Sequence, residues 1–184
     1  LLPKLCNGEY LGCYGLTEPE AGSDAANQQT RAIKDGNDYI ISGSKTWISC
    51  GTIASHALIF ATVDPTLGHK GICCFIVDCK SKGFTAQAIH GKLGLRASDT
   101  ASLFLDEVRV PAENMLGKVG EGFKIAMSAL DNGRFSVAAG AIGVVQGCID
   151  HCTRYAMERR TFGKPIGEHQ QVQAMIADMV ADCE

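Results

Sequence analysis

The apolar pattern changes period at Pro111, and that change divides the fold. Before it, short β-rich runs recur at Tyr39-Ile40-Ile41, Ala57-Leu58-Ile59-Phe60-Ala61, Ile72-Cys73-Cys74-Phe75-Ile76-Val77 and Leu103-Phe104-Leu105. Turn signals at Asp35-Gly36, Asp64-Pro65, Lys82-Gly83 and Gly91 separate them, and the run from Asp64 to Gly71 reads as a polar surface loop. Strands at this spacing predict a central antiparallel β-barrel or sandwich. After Pro111, Gly117, Gly120 and Gly122 lead into a helix reaching about Arg159. Phe123, Met127, Leu130, Arg134, Val137, Ala141, Val144 and Cys148 fall at steps of four and three, a helical stripe. Such a helix is about 55 Å long and needs neighbours along its length. Gly163 and Pro165 end it, and a second helix begins near Glu168. The expected fold class is α+β, a β domain followed by helices of an incomplete C-terminal helical bundle.

The 184 residues suffice for one domain or one and a half. A formal charge of -3 argues against nucleic-acid binding and against a polybasic membrane surface. No apolar run approaches the roughly 20 residues of a span, so no transmembrane segment is expected. The chain opens on Leu1-Leu2-Pro3 without a signal-peptide pattern, as if cut from something longer. Its nine cysteines are odd in number and form no pair of C-x-x-C motifs, so no zinc ribbon or other metal site is expected. They read as buried free thiols in a reducing intracellular compartment.

Two local features point toward a ligand. The stretch Leu16-Thr17-Glu18-Pro19-Glu20-Ala21-Gly22-Ser23-Asp24 reads as strand, tight turn and glycine-serine corner. A loop of this kind can aim backbone N–H groups at an anion, although a plain surface turn has the same composition. Arg134 occupies an apolar-stripe position, where a cation must be paired or liganded. Asp131, three residues back, could pair with it, or Arg134 could face a cleft. Gly140, Gly143 and Gly147 weaken the helix unless a backbone or ligand approaches there.

Six ordered motifs together resemble the acyl-CoA dehydrogenase family over nearly the whole chain. They are Thr17-Glu18-Pro19-x-x-Gly22-Ser23-Asp24, Gly43-Ser44-Lys45-Thr46-Trp47-Ile48-Ser49, Leu95-Arg96-Ala97-Ser98-Asp99-Thr100, Val108-Arg109-Val110-Pro111-x-x-Asn114, Asp131-x-x-Arg134 and Arg159-x-Thr161-Phe162-Gly163-x-Pro165-x-x-x-x-Gln170. The resemblance implies a three-part subunit. Residues 1–9 would end an N-terminal helical domain, 10–115 would form the middle β domain, and 116–184 would start the C-terminal helical domain. It also implies FAD, α,β-dehydrogenation of acyl-CoA thioesters in fatty acid β-oxidation, and an electron-transferring flavoprotein as acceptor. A homotetramer or homodimer in the bacterial cytoplasm or mitochondrial matrix would follow.

Position by position, the resemblance implies that Tyr14, Leu16 and Thr17 line the flavin, with Thr17 on its pyrimidine edge. Gly22 and Ser23 would hold the pyrophosphate, and Ser23 also the acyl-CoA. Trp47 would cover one face of the isoalloxazine beside Ile48, and Ser49 would hydrogen-bond flavin N5. The residues alone would make Trp47 a core aromatic. Asp131 and Arg134 match an acyl-CoA contact. Arg159 matches an Arg that reaches the FAD of a neighbouring subunit, with Thr161, Phe162 and Gln170 beside it. In some members the catalytic Glu precedes the Arg of Asp-x-x-Arg; here that position is Gly133. No catalytic residue is therefore assigned in this chain, and the resemblance points to members with a later Glu, short-, medium- or branched-chain enzymes. Competing readings are an acyl-CoA oxidase or flavin monooxygenase of the same fold, or a truncated, non-catalytic binding fragment.

Overall fold

β4 (His56–Thr62) and β5 (Ile72–Asp78) pair antiparallel along their whole length, from His56↔Asp78 to Thr62↔Ile72. Both are apolar at almost every position because both faces are covered. Ile59, Phe60, Ala61, Cys73, Cys74 and Phe75 have no solvent exposure. The computed structural model describes all residues from Leu1 to Glu184, in two compact units, Leu1–Ser128 and Ala129–Glu184.

The first unit is built on an eight-stranded sheet. A short helix α1 (Leu2–Cys6) precedes β1 (Gly12–Gly15), β2 (Arg31–Asp35) and β3 (Asp38–Ser49). After β5 come β6 (Phe84–Ala88), β7 (Thr100–Pro111) and the short β8 (Met115–Leu116). The order is β6-β7-β3-β2-β4-β5-β8, with β1 also on β4. The α+β class holds, with one refinement: β1 and β2 both run parallel to β4, so the sheet is mixed. β1 pairs with residues 56–59 and β2 with Thr62. The connection 16–30 therefore leaves and re-enters the sheet beside the same strand.

Ile41, Ile48, Ile59, Phe75, Val77, Leu103, Leu105, Val108 and Val110 form the core of this unit. Fully burying one such side chain contributes about 1.5–3 kcal/mol. The segment from Pro65 to Gly71 is two 3-10 turns, exposed but for Gly71, with Asp64 capping Thr66 N. The first turns of α2 (Gly122–Glu158) pack on the sheet. A Cβ on Gly122 would sit 2.5 Å from the Cys73 carbonyl carbon, so only glycine fits. The Tyr14 hydroxyl donates to the Ala126 carbonyl at 3.2 Å, and its ring meets Phe60 at 5.1 Å.

The second unit holds the rest of α2, the hairpin β9 (Arg160–Thr161) with β10 (Lys164–Pro165), and α3 (Gln170–Cys183). Phe162 and Gly163 both take positive φ, 51° and 81°, the mirror-type turn that a two-residue hairpin requires. The α2 stripe behaves differently from expectation. Val137 and Val144 are exposed, and the buried residues of α2 are Gly122 at its start, Ala126, Ile149 and Ala156. Gly140, Gly143 and Gly147 face open space, so no backbone of this chain makes the close approach expected there. The expectation that no run reaches membrane length is also corrected. By length and composition α2 is apolar enough to cross a membrane, with a window of mean hydropathy 1.3. A helix with apolar residues around its whole circumference has this property when it lies at the centre of a bundle. All nine cysteines are free, but only Cys13, Cys73 and Cys74 are buried; Cys6, Cys148 and Cys152 are exposed.

Candidate functional site

The β3–β7 ladder loses its simple register near the end of β3. Lys45 pairs with Leu103 but Ile48 pairs with Ala101, so one extra residue is fitted into β3. This is a β-bulge. Trp47 sits in it at φ 60° and is 63% exposed. The sequence reading of Trp47 as a core aromatic is thereby overturned. Ser49 follows, exposed and paired in register with Thr100. Ile48 between them is buried at 2%, and Leu16 at 7%, so both side chains serve the core and only their backbone could meet a ligand.

Asp99 secures the far side of this bulge. Its carboxylate accepts from Thr52 N at 2.9 Å and from the Thr52 hydroxyl at 2.8 Å, and its carbonyl accepts from Cys50 N at 3.0 Å. Lys92 donates to the Thr100 hydroxyl and to the Leu95 carbonyl, both at 2.9 Å, closing the loop that carries Leu93 and Leu95. Neither Asp99 nor Lys92 has a role assigned from sequence.

The glycine-serine corner has the expected turn. Glu18 and Ala21 exchange backbone hydrogen bonds of 3.0 and 3.2 Å around Pro19-Glu20. Gly22, Ser23 and Asp24 are exposed, and a Cβ on Gly22 would meet nothing within 4 Å. Their N–H groups donate to no other backbone group. Thr17 N–H and hydroxyl are left in a half-buried position, while its carbonyl accepts from Thr46 N at 2.9 Å. Tyr14 is half-buried, and burial pushes its phenol up to about 12.

Beneath this corner lies a polar cluster of which only Glu18 and Lys45 stand in the sequence motifs, neither with an assigned role. Lys45, with no exposure, donates to Glu18 Oε1 at 2.7 Å, Gln28 Oε1 at 2.5 Å and the Leu16 carbonyl at 3.3 Å. Glu18 also accepts from Gln29 N at 2.6 Å and Thr30 N at 3.0 Å. Burial pushes the Lys45 amine down to about 8, opposed by the Glu18 charge. Burial pushes the Glu18 carboxyl up, but Lys45 and the donors from Thr30 and Gln29 outweigh it and hold it below its ordinary value. A signal was present: Lys45 keeps the inward phase of Tyr39 and Ile41 on β3, where a cation needs a buried partner.

In the second unit Asp131 and Arg134 do pair, at 3.2 Å, on an exposed part of α2. Both side chains remain more than 70% exposed, 74% and 71%, so the pair leaves the guanidinium open to a ligand. Gly133 beside them faces open space. Arg159 is exposed at the end of α2, and its backbone carbonyl accepts from Ile166 N at 2.8 Å. The Thr161 hydroxyl meets His169 Nε2 at 3.0 Å, Phe162 is 95% exposed at the hairpin tip, and Gln170 is exposed at the first turn of α3.

Residues 13–108 match the family model described as acyl-CoA dehydrogenase, middle domain, and residues 120–184 match acyl-CoA dehydrogenase, C-terminal domain. The chain belongs to the acyl-CoA dehydrogenase family. It is 46% identical over 178 residues to a short-chain specific acyl-CoA dehydrogenase of Clostridium acetobutylicum, covering 97% of this chain and 47% of that protein. Butyryl-CoA dehydrogenase of Megasphaera elsdenii has the same fold with a TM-score of 0.92 at 42% identity, over 100% of this chain and 48% of that one. A chain in the structure of the electron transferring flavoprotein of Acidaminococcus fermentans gives a TM-score of 0.90 at 43% identity, over 99% and 48%. The chain thus spans about half the length of the acyl-CoA dehydrogenase relatives it matches.

The donor set of the first unit fits a flat heteroaromatic with hydrogen-bonding edges and a phosphate tail, which is the chemistry of FAD. Trp47 offers an open ring face, Ser49 and Thr17 offer hydroxyls, and the Gly22–Ser23 corner offers N–H groups.

Proposed function

We propose that the protein containing this chain is an FAD-dependent acyl-CoA dehydrogenase acting on short-, medium- or branched-chain acyl-CoA thioesters. The observation that carries the reading is the bulge that holds Trp47 out of the core with the Ser49 hydroxyl two residues on. A bulge that re-aims a large aromatic at such a site is a built feature of the strand.

Bound FAD would supply the two-electron acceptor for α,β-dehydrogenation. The residues of this chain bind and orient. Trp47 would cover the ring system, and Ser49 and Thr17 would offer their hydroxyls to its hydrogen-bonding edges. Tyr14 borders the ring. The amides at Gly22 and Ser23 take the pyrophosphate, and Ser23 reaches the acyl-CoA. Asp131 fixes Arg134 by their ion pair, and Arg134 receives the thioester ligand. Arg159, with Thr161, Phe162 and Gln170, serves the FAD of a neighbouring subunit in a homotetramer or homodimer. No base for the α proton is identified in this chain, since Gly133 at the alternative Glu position has no side chain. Removal of that proton belongs to a carboxylate elsewhere in the protein.

An electron-transferring flavoprotein is the proposed acceptor, supported by the likeness to the Acidaminococcus fermentans structure. Nine unpaired thiols support a reducing compartment, bacterial cytoplasm or mitochondrial matrix. The test is anaerobic titration of the purified full-length protein with butyryl-CoA. Loss of the oxidised flavin absorbance is expected. A protein that carries no flavin, or whose flavin is untouched by any acyl-CoA from four to eight carbons ~ the short to medium range of pocket fillings ~ would overturn the reading.

A further inference from the structure

The connection 16–30 is a loop whose two ends lie close together along the β4 edge, and everything bound by Lys45 and Glu18 lies in the neck of that loop. On the outgoing side are Leu16 and Glu18; on the returning side are Gln28, Gln29 and Thr30. Lys45 stands between them from β3, fully buried, with three acceptors for its three N–H bonds. Gln28 closes the ring by donating to the Leu16 carbonyl at 3.2 Å and the Ala25 carbonyl at 3.0 Å. Thr17 and Ser23 lie in the segment so enclosed.

A buried ion pair is weak support for stability, because well-packed apolar residues of the same volume often do as well or better. What apolar residues cannot do is hold two backbone N–H groups and a carbonyl at fixed positions. We infer that Lys45, Glu18 and Gln28 form a latch that positions the 16–30 loop for cofactor binding, so that Thr17 and the Gly22–Ser23 corner meet the cofactor in one fixed geometry. The inference rests on the FAD reading above. The same strand carries the latch and Trp47 two residues later, and Thr46 N donates to the Thr17 carbonyl at 2.9 Å. The latch thus ties the stacking side of the site to the loop side. Lys45, Glu18 and Gln28 are positioning residues, since none is exposed to a ligand.

The decisive variant in the full-length protein is Glu18→Leu with Lys45→Met, which removes both charges together and leaves no unpaired ion. Val77→Ala, in the core and outside the loop, serves as a control of comparable instability. Three readouts are taken: FAD affinity by flavin fluorescence, thermal midpoint, and hydrogen exchange at the Gln29 and Thr30 amides. The double variant is expected to weaken FAD binding about tenfold relative to the control, as loss of supporting groups behind a ligand set commonly does. Exchange at both amides should quicken. An FAD affinity equal to that of Val77→Ala would overturn the latch. If the double variant does not fold, Gln28→Met decides by the same comparison, because it opens the neck and leaves the ion pair in place. If the unaltered protein binds no FAD, the cofactor reading fails by itself. Amide exchange then still decides whether the loop is latched: equal rates in variant and unaltered protein would overturn it.

Discussion

Lys45 and Trp47 lie two residues apart on one strand, yet Lys45 is fully buried and Trp47 is 63% exposed. In a regular strand they would share a face. The extra residue between the Lys45↔Leu103 and Ile48↔Ala101 pairs breaks that rule, and it restores the inward phase at Ile48. A positive φ at a bulky residue costs about 1–2 kcal/mol. The fold carries that strain at the one tryptophan of the chain.

Trp47→Gly removes the strain and the ring together. The purified chain should unfold at the same urea concentration as the parent or a higher one, because glycine adopts φ 60° freely. The full-length protein should lose flavin on gel filtration. A large fall in the urea midpoint would mean that the Trp47 ring packs as part of the core.

Asp99→Ala leaves Thr52 N and its hydroxyl without their acceptor. A loss of about 1–3 kcal/mol is expected from urea unfolding. Flavin binding should weaken as well, because the turn that follows Ser49 is no longer held. Asp99→Asn, which keeps an acceptor oxygen, should recover part of both. Equal behaviour of the two variants would remove the anchoring role.

The Glu18 carboxyl is held below its ordinary value of 4.5, its burial outweighed by Lys45 and by the Thr30 and Gln29 donors. A group with a depressed folded value contributes stability that is complete above its unfolded value and is lost as pH falls through the folded one. Urea midpoints measured from about pH 6 to about pH 3 should therefore fall more steeply for the parent chain than for Glu18→Leu/Lys45→Met. Parallel curves would mean that Glu18 contributes nothing to the acid limb.

Arg134→Ala breaks an ion pair that is exposed on both sides. Such pairs contribute about 0–1 kcal/mol, so the urea midpoint should barely move. In the full-length protein acyl-CoA affinity should fall while FAD affinity holds. Substrate affinity unchanged by the substitution, measured by the spectral shift on acyl-CoA binding, would remove Arg134 from the site.

Much of the β unit was legible in the sequence. Four apolar runs fell inside β3, β4, β5 and β7, and Asp35-Gly36 and Lys82-Gly83 marked real turns. β2 and β6 were not seen, because Arg31–Asp35 is mostly polar and Phe84–Ala88 carries a single large apolar side chain, Phe84. The helices were placed within two residues, yet the α2 stripe was assigned the wrong buried members. α2 is apolar on every side, so its pattern does not single out the face that Ile149 and Ala156 bury.

The sequence by itself determined the α+β class, the turn at Pro19, the helix limits near Gly163 and the family, because each rests on local chemistry or on ordered motifs. Only the tertiary structure decided where Lys45 ends, which side of β3 Trp47 leaves, and what Glu18 holds. Those outcomes depend on the register between β3 and β7 and on the return of residues 28–30 to the β4 edge. Contacts between residues 12 to 29 positions apart along the chain leave no periodic trace in it.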